Sequence, residues 1–165
     1  MSNAMKVVGV ITLVASFGIW GYAFSGRADR PAPDLLDDTT WPAAAETLCA
    51  EALDEIESMP GALDAADVSE RSTQIQTSTD RFAEMMVDLE RLPVSTTRDA
   101  QITTDWLADW RTLLQDRRRH AQAIRDDPAA PFTITDTGVN ERLDKRITRF
   151  ATTNSLPSCV TPTDV

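Results

Sequence analysis

The sequence has one histidine (His120), two lysines (Lys6 and Lys145) and two cysteines (Cys49 and Cys159). A lone histidine, with no Glu-x-x-His pair, argues against the clustered ligands of a zinc or di-iron site in a helical bundle. Six glycines are scattered along the chain, so there is no glycine-rich phosphate loop. Gly-x-Ser-x-Gly is missing, and Arg117, Arg118 and Arg119 beside His120 depress its proton affinity, which argues against acyl-transfer chemistry. Acids are plentiful, but no glycosidase-type pair stands out among them. The expectation is a non-enzymatic protein with no cofactor and no metal.

Charge is missing from one end. Lys6 is the only charged residue among the first 26; beyond it lie 15 basic and 26 acidic side chains, a net charge of −11. A surface that negative repels nucleic acid, so no nucleic-acid partner is expected. The bases are almost all arginine, a bias without functional content of its own.

Val7 to Phe24 is uncharged and mostly apolar. As a helix, such a stretch rises roughly 27 Å, close to the hydrocarbon thickness of a bilayer. Trp20, Tyr22 and Phe24 sit at its far end, where aromatic rings favour the membrane boundary. The spacing predicts a transmembrane signal-anchor over residues 7–25, with residues 1–6 cytoplasmic. Met1-Ser2-Asn3-Ala4 is either native or an expression-tag remnant ahead of Met5. The competing reading is a signal peptide cleaved near Ser25, releasing a secreted protein; the long apolar stretch and single lysine favour the anchor. No cysteine follows closely, which excludes a lipoprotein. Arg27 and Arg30 favour a cytoplasmic far side, but long domains translocate despite such charges. Thr12 and Ser16, then Gly21 and Ser25, place small residues four apart, a weak signal for a homodimer through the span.

Residues 26–40 read as a linker, with Pro31 and Pro33 opposing helix and Asp34, Asp37 and Asp38 keeping it solvated. Residues 41–165 read as a helical domain. Its first helix is predicted over Trp41–Ser58, with Thr40 as cap, Pro42 in the first turn, and an inward stripe of Ala45, Leu48, Cys49, Ala52, Ile56 and Met59. Pro60-Gly61 ends it. The second is predicted over Val68–Leu92, opened by a capping-box pattern at Asp67 and Glu70. Its seam is Val68, Ile75, Phe82 and Leu89, with Met85 and Met86 beside it. The third is predicted over Arg98–Arg125, with Ile102, Trp106, Trp110, Leu113, Leu114, Ala121 and Ile124 on one face. Pro128 to Gly138 reads as an extended crossing segment that packs Phe132 and Ile134. A last helix is predicted over Asn140–Thr152, burying Leu143, Ile147, Phe150 and Ala151. The fold class is therefore all-α: a transmembrane helix, then an antiparallel bundle of about four helices.

Cys49 lies on the apolar face of the first soluble helix and Cys159 in the tail. Beyond a membrane segment, in an oxidising compartment, such a pair is expected to form a disulfide. That places the domain on the extracytoplasmic side.

Two constellations stand out as candidate binding residues. Trp106 and Trp110 lie one turn apart, as core or as the wall of a ligand pocket. Arg117, Arg118, Arg119 and His120 form a basic run, expected to pair with acids such as Asp54, Glu57 or Asp88, with an anionic ligand as the alternative. Asp105 and Asp109, also one turn apart, read as a solvated face rather than a cation site.

The stretches GYAFSGRADRPAPDLLDD (21–38), AETLCAEAL (45–53), WLADWRTLLQDRRRHAQAIR (106–125) and LPSCVTP (156–162) together resemble an uncharacterised group of actinobacterial, single-pass, membrane-anchored proteins with a short helical exterior domain. The resemblance implies location and lineage; it brings no activity and no functional residue. The expected function is an envelope interaction or structural module with a membrane and another envelope protein as partners. The alternative is a ligand-binding or sensory domain with its pocket near Trp106, Trp110 and Arg117–His120.

Overall fold

The computed structural model describes residues 3–24, 32–138 and 141–163, and in the first helix the side chains of residues 12–22. Lys6, Ser25, Arg27, Arg30, Pro31 and Asn140, to which the sequence assigned roles, lie outside the described residues or side chains. The described residues are all-helical with no strand: α1 Asn3–Ala23, α2 Thr40–Glu57, α3 Val68–Glu90, α4 Thr97–Asp126, α5 Leu143–Thr153 and a 3-10 turn at Pro157–Cys159. The chain divides into two compact units, residues 1–33 and 34–165.

In the first unit, α1 runs to Ala23, so it covers residues 7–23 of the 7–25 span expected as a transmembrane anchor, and Ser25 lies outside the described residues. Among the described residues no helix is long and apolar enough to cross a membrane.

In the second unit, α3 and α4 run antiparallel: Ser72 bonds the Ala121 carbonyl, Thr79 meets Arg117, and Phe82 packs on Trp110. α5 runs antiparallel to α4 in turn, with Phe150 stacked on Trp106 and Arg146 paired with Asp109. Local chemistry sets the helix starts. Asp67 accepts from the Glu70 amide at 2.8 Å, while Glu70 reaches back to the Ala66 amide at 2.8 Å, one residue before the cap. Thr96 caps α4 through the Asp99 amide. Thr40, expected as a cap, is the first residue of α2; the Asp38 carboxylate takes both its amide and its hydroxyl.

The core is an aromatic ladder drawn from four helices. Trp41 of α2 meets Trp106 at 6.0 Å, Trp106 stacks on Phe150 of α5 at 4.7 Å, and Trp110 meets Phe82 of α3 at 5.7 Å. Each such pair adds about 0.5–1.5 kcal/mol beyond its buried area. Leu36, Ala45, Cys49, Met85, Leu89, Leu113, Ile147 and Leu156 fill the space around it. A smaller cluster of Ala62, Ile75, Ala121 and Ile124 closes the other end of α3 and α4.

Two non-helical straps complete the unit. Residues 34–39, expected as solvated linker, instead pack on the bundle with Leu36 buried. The reason is polar: Asn154 accepts the Leu36 amide at 2.9 Å and donates to the Asp34 carbonyl, and Asp99 accepts the amides of Asp37 and Asp38 at 3.1 Å each. The second strap, 128–138, crosses with Phe132 and Ile134 partly buried, as expected.

α5 ends in a Schellman turn. Leu156 donates to the Ala151 carbonyl and Ser155 to that of Thr152, with Ser155 at φ 59°. The turn sends Leu156 into the core and brings Cys159 onto Cys49 of α2, forming the Cys49–Cys159 disulfide with Cα atoms 5.2 Å apart.

Candidate functional site

The described side chains of α1, residues 12–22, are uncharged and mostly apolar. Phe17, Ile19 and Phe24 are 71%, 69% and 80% exposed, and Leu13, Val14, Trp20 and Tyr22 are exposed beside them. Trp20 and Phe24 stack at the end of this surface, 5.6 Å apart. Each large apolar side chain left in water forgoes about 1.5–3 kcal/mol of burial.

The basic run divides by helical phase. Positions 117 and 120, three residues apart, share the inner face; 118 and 119 point out. Arg117 is fully buried: its Nε donates to Thr79 Oγ1 at 3.0 Å, its Nη2 to Ser78 Oγ at 2.9 Å, and its guanidinium lies 5.5 Å from the Phe82 ring centre. Arg118 pairs with Asp80 and Arg119 with Asp116. The expected acids were the wrong ones. The register of α3 on α4 sets residue 80 beside 118, while Asp54 and Glu57 face solvent on α2 and Asp88 pairs locally with Arg91. His120 is buried, edge-on to Phe132 at 5.5 Å, with both ring nitrogens unpartnered. Burial, then the charges of Arg71 and Arg117, hold its proton affinity below the ordinary histidine value.

Trp106 and Trp110 are core residues. Trp106 Nε1 donates to the Ile147 carbonyl at 3.2 Å; Trp110 is fully enclosed, its Nε1 unpartnered. The hollows on the second unit lie elsewhere: beside Met59–Pro60 and α3, beside Phe132–Leu143, along the tail near Leu53 and Leu63, and beside Leu35–Glu46. No hollow among these brings the two tryptophans together with the arginine run. Asp109 is taken by Arg146 and Asp105 by Gln101. Among the described residues no group of three or more His, Cys, Asp or Glu is placed to hold a metal.

The residues that sequence reasoning missed are buried polar ones: Asp99, Asp116 and Asn154. Asp116, 1% exposed, accepts the Thr135 amide and hydroxyl at 2.7 Å each and so fastens the second strap to α4. Asp99 fastens the first. Two buried acids among 26 carry no sequence signal beyond their position on an otherwise apolar face. No family model, curated protein or solved structure matches this chain.

Proposed function

We propose that α1 anchors the chain in a membrane and that residues 34–165 form a disulfide-closed interaction or structural module on the extracytoplasmic side. The observation that carries this reading is the run of large apolar side chains exposed on α1 from Leu13 to Tyr22, continued by Phe24, with no charge among the described side chains there. Apolar side chains set out along a helix in this way need a bilayer or a protein surface to cover them. The Cys49–Cys159 bridge supports the oxidising side of that membrane, since such bonds are rare where thiols are kept reduced. The packed aromatic core favours a module that acts through its surface over one that encloses a ligand. Another envelope protein is the expected partner, and a resemblance to actinobacterial anchored proteins agrees with this placement.

The test is fractionation of cells carrying the full chain. The chain should stay in the membrane pellet through an alkaline carbonate wash. Protease added to intact cells should remove the domain, and non-reducing gels should show the bridged form. Release by carbonate, or protection from external protease with free thiols, would refute the placement. Cross-linking in the same membranes then identifies the partner.

A further inference from the structure

His120 is the only histidine in the chain and is 5% exposed. Both ring nitrogens are enclosed without a partner, which native interiors rarely leave so. Phe132 of the second strap stands against the ring. Arg71 of α3 and Arg117 of α4 both place positive charge on it. Residues 128–135 of the strap carry no charge, and Asp136 is exposed. Of the other charged groups on α3 and α4, Asp116 is engaged with Thr135 and Arg119, Glu70 with the Ala66 amide and Gln74, Arg118 with Asp80, and Arg125 with Ser72. Among the described residues no acid hydrogen-bonds either ring nitrogen.

The strap itself is held to the helices at Thr135, which donates its amide and hydroxyl to Asp116 and accepts from Arg119, and at Thr137, which accepts from Arg146. The α3–α4 pair beneath it is joined along its length by buried residues, from Ser72 and Ala121 to Phe82 and Trp110. The strap is therefore held less extensively than the α3–α4 pair and can open without it.

We propose that His120 is a proton-operated latch: protonation of this enclosed ring releases segment 128–138 from α4 while the helices stay packed. In the open form burial is relieved while Arg71 and Arg117 stay in place, so the ring's proton affinity rises toward the ordinary value but stays below it, and opening takes up a proton once pH falls through that open-form affinity. The open population then rises as pH falls through that range, by up to about tenfold per pH unit. Opening uncovers Phe132 and Ile134, so the domain gains an apolar surface in acid that it hides at neutral pH.

The experiment is hydrogen exchange by mass spectrometry on the full chain in neutral detergent micelles between pH 7.5 and 5.5, corrected for intrinsic exchange. NMR of the single His120 ring signal is recorded alongside. Protection of 128–138 should fall as pH is lowered, by up to about tenfold per pH unit across the range in which the ring titrates, while α3 and α4 hold their protection. His120→Phe, and His120→Gln in case a second ring overpacks the site, should each abolish that pH dependence. The latch is refuted if the variants keep the wild-type pH dependence, if the ring titrates without any change in the strap, or if α3 and α4 lose protection together with it.

Discussion

Removing the Cys49–Cys159 bridge tests how the domain is closed. The bond spans 110 residues, so the chain-entropy model gives it about 5 kcal/mol through restriction of the unfolded chain. Little of that should be offset in the native state. Leu156 is fully buried, the Schellman turn holds the chain before it, and the Ser158 amide meets the Glu46 carboxylate at 3.1 Å. Without the bond the tail therefore stays docked in the native state, and the expected loss for Cys49→Ala with Cys159→Ala is roughly 3–5 kcal/mol. Trp41, Trp106 and Trp110 lie in the core, so tryptophan fluorescence during urea unfolding of the full chain in mild detergent reads the global transition. The urea dependence should also steepen, because the unlinked unfolded chain exposes more surface. A loss below about 1 kcal/mol, or one confined to exchange at residues 155–163, would refute the reasoning and reduce the bridge to a local clamp on the tail.

Asp116→Ala should cost about 1–3 kcal/mol, since it takes the acceptor from the Thr135 amide and leaves the Thr135 hydroxyl only Arg119; faster exchange at Thr135 with α3 and α4 unchanged checks it. Trp106→Phe should destabilise by about 1 kcal/mol more than Trp110→Phe, because only Trp106 forfeits an indole hydrogen bond; paired urea titrations decide. Ser155→Gly should stabilise by roughly 0.5–1 kcal/mol, relieving a left-handed residue at the end of α5, with a rise in melting temperature as the readout. The Asp38 carboxyl is held at about 2 by the Thr40 hydroxyl and amide and the Ser95 hydroxyl. Its contribution should be complete above its ordinary value of 3.8, decline below it and be gone below about 2; Asp38→Asn should flatten thermal stability across that window.

The sequence by itself determined the helices and their inward stripes. Pro60-Gly61 ends α2, the Asp67–Glu70 pattern opens α3, and the spacing of Ile75, Phe82 and Leu89 faces them inward, because these effects act within a turn or two of chain. It also paired the two cysteines, since two thiols in an oxidising setting leave one intramolecular choice. Tertiary structure alone decided which polar groups go inside. Asp99, Asp116 and Asn154 resemble any surface residue until the straps arrive with amides to satisfy, and that draws residues 34–39 into the fold. The arginine run shows the same division. The sequence supplies four consecutive polar residues, but the angle at which α4 lies on α3 sends Arg117 and His120 inward and leaves Arg118 and Arg119 in water. Helical phase is local, while the face that becomes interior is set by contacts between residues some 40 positions apart.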